Sequence, residues 1–399
     1  MTSDPKPIQP ARRVASVKEY YFSRKLREVA EMNSRGLDVI SLGIGGPDRM
    51  PPQAAIVTLC AAASQPGNHS YQPYVGLPEL RQAFARWYSA HYGVTLDPAT
   101  EIQPHIGSKE GILHISLAFL NPGDGVLVPN PGYPTYTSVS NLAEAEIFTY
   151  DLTEANDWQP DFDALERLPL ERIKLMWVNY PHMPTGTPAT PQLLQKIVDF
   201  GRRHGIVIAH DNPYSFILND SAPLSILAAE GAREVAIEMN SLSKSHNMAG
   251  WRVAMLAGNP QFVNWVLKVK SNIDSGQFKP VMLAAVEALG QPDSWYEELN
   301  AEYRLRRTAA EEIATALGCT FDPAQRGLFL WAKVPPTAAS GEELADKVLS
   351  QARVFITPGF IFGSNGDRYI RISLCATAQA MHRALDRIRQ AGLAVNANT

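Results

Sequence analysis

Residues 240–252, NSLSKSHNMAGWR, decide the fold that the rest of the chain is expected to adopt. At the centre of this stretch, Lys244 stands between two serines, and the run 235–239, apolar except for Glu238, precedes the stretch. That run alternates too little for a surface strand and is typical of a strand buried in a parallel sheet. Lys244 is therefore expected in the loop just past the carboxyl end of a strand, where open α/β sheets bind their ligands.

The residue types around Lys244 indicate a particular chemistry. Arg252 follows eight residues later and begins a second apolar run. A lysine amine forms Schiff bases with carbonyl groups, and a guanidinium suits a phosphate dianion. Pyridoxal phosphate carries both an aldehyde and a phosphate. The pattern suggests a covalent carbonyl site beside a phosphate site, although a solvated lysine in a loop rich in serine and asparagine fits the short motif as well.

Length and composition indicate an ordinary globular protein without a nucleic-acid or membrane surface. The chain has 399 residues, 45% of them hydrophobic and 19% charged, and a net charge of −4 with no basic block. It has no run of about 18 apolar residues that would span a membrane, and its start lacks the apolar core of a secretory signal. Cys60, Cys319 and Cys375 have unrelated spacings, which predicts buried thiols in a reducing cytoplasm and neither a disulfide framework nor a metal site.

The order of elements predicts an α/β protein. Between residues 50 and 280 strands and helices alternate, which is typical of a mostly parallel sheet with helices on both faces. Residues 17–35 have the apolar spacing of a helix that ends before Gly36. The strand–helix alternation ends at residues 290–292, Gly-Gln-Pro. A long helix over 294–317 then begins a smaller α+β unit. We therefore predict three parts: an N-terminal arm with a segment that joins the small domain (1–48), a large cofactor-binding domain (49–290) and a small C-terminal domain (291–399).

Polar and aromatic residues follow the predicted strands of the large domain. A glycine-serine turn, Gly107-Ser108, begins a helix after the strand at 102–106 and can present free N–H groups to a phosphate. Because parallel strands end at the same edge of a sheet, such residues are expected to converge on Lys244. The other strand-end motifs are PNPGYP with Tyr133, NYPHMPTG with Asn179, and DNPY with Asp211 and Tyr214.

These motifs together resemble the class I/II aminotransferases of the fold-type-I pyridoxal-phosphate enzymes over nearly the whole chain. The motifs are ordered and correctly spaced: SLGIGGPD, YQPYVGLPELR, GSKEG, PNPGYP, NYPHMPTG, DNPY, SLSK with GWR, and YIRIS. Within that group, GSKEG, SLSKSHNMAGWR and KSNIDSGQF are most similar to LL-diaminopimelate aminotransferases and their alanine-aminotransferase-like relatives. The resemblance implies an α/β fold with a mostly parallel central sheet, helices on both faces and a smaller C-terminal α+β domain.

The resemblance assigns catalytic roles to three residues. Lys244 would hold pyridoxal phosphate as a Schiff base and then move a proton as general base and acid. Asp211 would pair with the pyridine nitrogen, and Tyr214 would hydrogen-bond the ring hydroxyl. Tyr133 would stack on the ring. Taken alone, Asp211 could cap a helix, and the tyrosines could be core or rim residues.

The resemblance also implies how the phosphate and the substrate are bound. Ser108, Lys109, Ser241, Ser243 and Arg252 would hold the phosphate. Tyr71 would reach the phosphate of a neighbouring subunit, which implies a homodimer with shared sites, and Asn272 would cross over in the same way toward the substrate. Arg371 would bind the α-carboxylate of the substrate, with Asn179 and the Gly45 amide nearby, and Asn179 would also contact the cofactor. Taken alone, Arg252 could form a surface salt bridge, and Arg371 could be structural.

Two positions depart from the family pattern. Met183 stands where the family has an asparagine before Pro-Thr-Gly, and thioether sulfur is only a weak acceptor and no donor. His182 could compensate or could be a solvated loop residue. Gly46 replaces an acidic residue that is common before Pro-Asp. Both departures bear on the substrate rather than on cofactor binding.

The sequence therefore predicts an aminotransferase that exchanges the amino group between an L-amino acid and a 2-oxo acid by a ping-pong mechanism, possible donors being LL-diaminopimelate, alanine and glutamate. One alternative is a pyridoxal-phosphate lyase on the same fold, similar to β-cystathionase or aminocyclopropane-carboxylate synthase. It would use the same lysine and aspartate. A non-catalytic regulatory protein that keeps the fold is the other alternative.

Overall fold

The structure, a computed structural model, describes residues 8–16 and 21–395. Its strands, numbered in chain order, form one large sheet and two small ones. They are β1 (Ile40–Ser41), β2 (Ile102–His105), β3 (Gly125–Asn130), β4 (Glu146–Asp151), β5 (Ile173–Val178), β6 (Val207–Asp211), β7 (Ala236–Ser241), β8 (Ala254–Gly258), β9 (Phe329–Lys333), β10 (Val354–Phe355), β11 (Thr357–Pro358) and β12 (Tyr369–Ser373).

The helices alternate with these strands in the first part of the chain, and three helices follow one another between β8 and β9. They are α1 (Arg12–Ser16), α2 (Tyr21–Ser34), α3 (Gln53–Ala63), α4 (Pro78–Tyr92), α5 (Ser108–Phe119), α6 (Pro134–Leu142), α7 (Phe162–Leu165), α8 (Pro191–His204), α9 (Ala232–Val235), α10 (Leu242–Ser245), α11 (Pro260–Lys270), α12 (Lys279–Leu289), α13 (Asp293–Ala316), α14 (Gly341–Ala352) and α15 (Ala378–Gln390).

The large sheet has seven strands in the order β2-β8-β7-β6-β5-β3-β4. Four neighbouring pairs are parallel, and β8 alone of the seven runs antiparallel to both of its neighbours. This confirms the prediction of a mostly parallel sheet. Since β2, β3, β5, β6 and β7 point the same way, their carboxyl ends share one edge, and the chain segments that follow them meet there.

Helices cover both faces of this sheet because strand side chains alternate with a period of two. On β5, Met176 enters one apolar core and its neighbour Trp177 enters the other. Helices α3, α4, α8 and α12 contribute to the first core, and α5, α6 and α11 contribute to the second. The prediction of helices on both faces is confirmed.

The helix α8 shows how the sequence sets such an element. Thr190 caps its start by accepting a hydrogen bond from the Leu193 amide at 3.1 Å. Gly205 ends it in the left-handed conformation with φ +66°, which glycine adopts without strain. Leu193 and Ile197, four residues apart, are both buried on one face, so the helix packs against the sheet.

A second sheet, β11-β12-β9, is antiparallel and lies in the C-terminal part of the chain. It shares an apolar core with α13, α14 and α15. The N-terminal segment joins the same core, since β1 pairs in parallel with β10 and Leu42 is fully buried there. The Arg306 guanidinium on α13 also pairs with Asp48 at 2.6 Å.

Several element boundaries differ from the sequence predictions. Lys244 lies in the short helix α10, not in a loop, because Ser241 caps a helical turn directly after β7. The apolar stretch 261–289 has a helical pattern in the sequence but forms two helices separated by residues 271–278, and β4 was not anticipated. Cys319 and Cys375 are buried as predicted, whereas the prediction of a buried thiol is wrong for Cys60, which is exposed on α3. The helix expected over 17–35 is seen from Tyr21 to Ser34, and its first four residues lie outside the described part. Among the described residues, no helix is long and apolar enough to cross a membrane.

Candidate active site

Side chains from several strand ends meet around a cavity of about 470 Å³ at the carboxyl edge of the large sheet. Most of the site residues predicted from the sequence line it, whereas Tyr71 and Asn272 do not. The predicted residues that line the cavity are Gly45, Ser108, Lys109, Tyr133, Asn179, Asp211, Tyr214, Ser241, Ser243, Lys244, Arg252 and Arg371.

Lys244 projects into this cavity from the one-turn helix α10. The Ser241 side chain caps the turn by accepting a hydrogen bond from the Ser243 amide at 3.4 Å. The Lys244 ammonium donates to the Gly45 carbonyl, which comes from the N-terminal segment. Burial lowers the pKa of Lys244. A lowered pKa increases the fraction of neutral amine, which is the form that attacks a carbonyl carbon.

Asp211, the last residue of β6, faces the same cavity. Its Oδ2 accepts a hydrogen bond from the Tyr136 hydroxyl at 2.8 Å, whereas its Oδ1 is buried and has no hydrogen-bond partner. Burial raises the pKa of Asp211 to about 6. A buried carboxylate oxygen without a partner is costly, so this atom is suited to accept a hydrogen bond from a ligand. Tyr136 was not anticipated; it follows PNPGYP in the sequence and lies two residues into α6.

A second part of the cavity is positively charged. Ser108 begins the twelve-residue helix α5, which has no side-chain cap, and the N–H groups at a helix start can bind an anion. Gly107 precedes it with φ +84°, and a Cβ added there would come within 1.8 Å of the Arg252 Nη2 atom. Partial burial and then the charge of Arg252 lower the pKa of Lys109. This part of the cavity is therefore suited to a phosphate dianion. It is lined by the cations Lys109 and Arg252, the start of α5 and Ser243.

Two tyrosines stand beside the central part of the cavity. Tyr133 precedes α6 and packs edge-on against Tyr136, with ring centroids 5.6 Å apart. Tyr214 is buried and packs edge-on against Phe329 at 6.0 Å. Burial raises the pKa of Tyr214, so its hydroxyl keeps its proton and can donate a hydrogen bond.

The Asn179 side chain hydrogen-bonds the end of β6 and the turn after β5. Its Nδ2 donates to the Asp211 carbonyl at 2.6 Å, and its Oδ1 accepts from the Met183 amide at 2.8 Å. Both polar atoms of this side chain therefore bind backbone groups, although the residue lines the cavity. Its predicted contacts with cofactor and substrate stay a prediction.

Arg371 lies on β12 and is almost fully buried beside the N-terminal segment. Its Nη2 donates to the Gly43 carbonyl at 2.9 Å. The guanidinium carbon lies 3.9 Å from the ring centre of Phe329 and 4.5 Å from that of Phe362. These aromatic faces hold the cation by cation–π attraction. The phenylalanines were not anticipated, because nothing in their local sequence marks them as neighbours of an arginine more than eight residues away.

The two positions that depart from the family pattern belong to the cavity, whereas His182 does not. Met183 and Gly46 both line the cavity. His182 is buried outside the cavity, with Nδ1 2.8 Å from the Thr185 hydroxyl, and burial lowers its pKa to about 3. The interpretation of His182 as a solvated loop residue is therefore wrong, since the turn folds it inward.

Tyr71 and Asn272 lie on the surface. The Tyr71 side chain is 89% exposed. Asn272 donates from Nδ2 to the Lys268 carbonyl at 2.7 Å. Neither contacts the cavity of its own chain, so their predicted roles depend on a second subunit.

A further group of potential ligands lies near the start of α5, outside the cavity lining. Glu110, His105 and His114 offer ligand atoms that all lie within 4.8 Å of one another. The two Nδ1 atoms are 3.3 Å apart, and Glu110 accepts a hydrogen bond from the Ile106 amide at 2.6 Å. Burial lowers the pKa of His114 to about 4. We interpret the group as a hydrogen-bonded support for α5, and the absence of a metal site stays a prediction.

Comparison with known proteins agrees with this geometry. Residues 37–388 match the family described as aminotransferase class I and II. The chain belongs to this family. The aminotransferase activity and the fold-type-I architecture expected from the sequence are thereby confirmed, and a lyase is not favoured.

Individual aminotransferase relatives match almost end to end. The chain is 42% identical to the LL-diaminopimelate aminotransferase of Nitratidesulfovibrio vulgaris (strain Miyazaki F) over 380 residues, which cover 95% of this chain and 98% of that protein. It is also 42% identical to the LL-diaminopimelate aminotransferase of Moorella thermoacetica over 385 residues, covering 96% and 98%. Among solved structures, substrate-bound BacF from Bacillus subtilis superposes with a TM-score of 0.90 at 35% identity, covering 96% and 98%.

Proposed function

We propose that this aminotransferase uses pyridoxal phosphate, bound through Lys244, to move an amino group between an L-α-amino acid and a 2-oxo acid. One observation carries the proposal. The lysine amine and the unpartnered Oδ1 of Asp211 face one cavity whose far end is suited to a dianion. The aldehyde of the cofactor would thus meet the Lys244 amine, and its pyridine nitrogen would meet Asp211. Its phosphate would lie at the cationic end.

The residues present fit the cofactor. Asp211 would accept a hydrogen bond from the pyridine nitrogen, and Tyr214 would donate to the ring hydroxyl. Tyr133 would cover the ring. The phosphate would be held by Arg252 and Lys109, and by the polar groups of Ser108, Ser241 and Ser243. Once bound, pyridoxal phosphate supplies an electron sink for the bond that is broken at the substrate Cα.

The chain's own residues orient the substrate and move the proton. Arg371 would bind the α-carboxylate, which sets the Cα–H bond facing Lys244. The neutral Lys244 amine would take the Cα proton and return it to the other reacting carbon. The Gly45 carbonyl, which accepts a hydrogen bond from this amine, would hold it between the two positions.

We further propose that the chain acts as a cytoplasmic homodimer in which Tyr71 and Asn272 reach the partner's cavity. Tyr71 is exposed and does not line the cavity of its own chain, which supports this arrangement. The domain division 1–48, 49–290 and 291–399 is part of the same proposal. Its support is the pairing of β1 with β10 and the separate apolar core of the C-terminal sheet.

Borohydride labelling tests the function. The protein with bound cofactor should be yellow. Its reduction should attach the cofactor to Lys244 and to no other lysine. Lys244→Ala should retain the cofactor noncovalently and lose transamination by several orders of magnitude, about what loss of a nucleophile and proton carrier causes. Lys268→Ala, a change of an exposed lysine on α11, is the matched control and should keep wild-type activity. A label on another lysine would refute the assignment.

A donor screen tests the reaction type. Amino acid alone should convert the cofactor stoichiometrically to its amine form, detected by absorbance. Catalytic release of pyruvate or ammonia would instead identify a lyase. The relatives are LL-diaminopimelate aminotransferases, so that amino acid belongs in the screen with alanine, glutamate, aspartate and aromatic amino acids.

A further inference from the structure

One side of the active-site cavity is apolar. Phe22 and Leu26 from α2, Ile44 from the N-terminal segment, and Phe329 and Phe362 from the C-terminal part all line it. We call these five residues the apolar wall. Leu26 and Ile44 remain 43% and 37% exposed, although large apolar side chains are usually buried. A ligand with an apolar group would cover them.

The charged groups of the cavity are already engaged. Among the described residues that line it, those of a charged type are Asp211, Lys244, Arg252, Lys109 and Arg371. The first four surround the proposed cofactor, and Arg371 is needed for the α-carboxylate. No further charge among these lining residues is available for the substrate's side chain.

The described charges that flank the apolar wall in the chain contact other protein groups. Lys25, next to Leu26, binds Asp346 at 2.9 Å and Glu28 at 3.0 Å. Asp48, near Ile44 in the chain, pairs with Arg306. Arg24, on the same helix, lies over the Tyr21 ring at 5.5 Å. Arg371 contacts three phenylalanines of the wall and is assigned to the α-carboxylate. These described charges are therefore engaged by groups other than the side chain of a substrate.

The segments expected to cross from a partner subunit add no free charge. Residues 68–76, which include Tyr71, contain no aspartate, glutamate, lysine or arginine. Residues 271–278, which include Asn272, contain one acid, Asp274. Both carboxylate oxygens of Asp274 already bind the Lys270 ammonium of the same chain, at 2.7 and 2.6 Å.

We propose that the amino acid accepted by this site has an uncharged, apolar side chain, aliphatic or aromatic, which packs on the apolar wall. The proposal rests on the transamination proposed above. A terminal carboxylate or ammonium, as in glutamate, lysine or LL-diaminopimelate, would lose water at this wall without gaining a partner, which is unfavourable. An apolar side chain would cover Leu26 and Ile44 and gain from the same contact.

Matched donors test the substrate class in the holoenzyme. Norleucine and lysine share one carbon chain and differ by a terminal ammonium, and methionine and glutamate are of similar length. The cofactor half-reaction, followed by absorbance, should give a kcat/KM for norleucine and methionine at least about tenfold above that of the charged partner. A higher kcat/KM for glutamate, lysine or LL-diaminopimelate would overturn the proposal. If no amino acid converts the cofactor, the proposed function itself fails, which is a separate outcome.

A charge placed on the wall tests its position. Leu26→Arg should raise kcat/KM for glutamate relative to methionine by at least about tenfold, since it offers the missing partner. Leu305→Arg, at a residue on α13 that is 62% exposed and outside the cavity lining, is the matched control and should leave the ratio unchanged. Equal ratios in both variants would show that the side chain does not contact this wall and would overturn the proposal.

Discussion

Arg371 directs one guanidinium N–H group at the sulfur of Met183, with Nη1 and Sδ 3.4 Å apart. The sulfur is a weak acceptor, so the contact restrains the arginine less than an amide oxygen would. The same arginine is stacked on Phe329 and anchored to the Gly43 carbonyl. Met183 thus links the strand β12 to the turn after β5 through a soft and largely apolar contact.

Met183→Asn should change the electronics of the bound cofactor. Its amide oxygen could accept from Arg371 while its N–H group donates to the cofactor ring oxygen. A hydrogen bond to a charged group is worth about 1.5–3 kcal/mol, and one pKa unit corresponds to about 1.4 kcal/mol. The pKa of the cofactor–lysine Schiff base should therefore fall by about one unit in an absorbance titration.

Met183→Leu is the matched control for this titration, because it keeps an apolar side chain of similar size and adds no donor. Its Schiff-base pKa should equal that of the wild type. Equal pKa values in all three proteins would show that another donor, such as the Tyr214 hydroxyl, already satisfies the ring oxygen.

The stability of the cofactor-free protein should depend on the protonation of Asp211. Burial raises the pKa of Asp211 to about 6, above its ordinary value of 3.8. The folded chain then holds this proton more tightly than the unfolded chain, so stability is lost as the pH rises from about 4 through about 6. Because the pKa rises by about two units, the loss in the free energy of unfolding is at most about 3 kcal/mol.

Asp211→Asn removes this titration and should raise the free energy of unfolding relative to the wild type more at pH 7 than at pH 4, by up to about 3 kcal/mol. Urea unfolding at the two pH values measures the difference. Asp157→Asn on the surface should leave the pH dependence unchanged. A pH-independent difference between wild type and Asp211→Asn would contradict the raised pKa.

Gly107→Ala should weaken cofactor binding. The new Cβ would collide with the Arg252 guanidinium at the phosphate end, and the φ of +84° would also strain the backbone. We expect the dissociation constant of pyridoxal phosphate, measured by fluorescence titration, to rise at least about tenfold. Gly205→Ala separates the two effects, since its φ is +66° but nothing lies within 4 Å of its Cβ. Equal dissociation constants in the two variants would argue against a phosphate at this position.

Mixed dimers should recover activity. If Tyr71 completes the partner's site, Tyr71→Phe and Lys244→Ala homodimers each lack one component in both sites. A mixed dimer has one site with neither mutation, because Lys244 of the first chain meets Tyr71 of the second. Activity after unfolding and refolding the mixture should exceed that of either variant alone. A fully active monomer in sedimentation would exclude a shared site.

Much of the site could be predicted from the sequence because its residues follow strand ends. Lys244 after β7, Asp211 at the end of β6 and Ser108 after β2 each sit in a short motif at a hydrophobic-to-polar boundary. Parallel strands bring such boundaries to one edge whatever the details of packing. Local sequence and topology together are therefore enough to predict their convergence.

The tertiary structure alone decided the surroundings of these residues. The hydroxyl of Tyr136 reaches Asp211 across 75 positions of sequence, and Phe22 approaches Arg371 across more than 300. No local pattern marks either pairing, because burial and ring contacts depend on which surfaces pack together after the sheets form. The reactive groups follow from short motifs, whereas their pKa values and the apolar wall follow from the packing of segments that are distant in the chain.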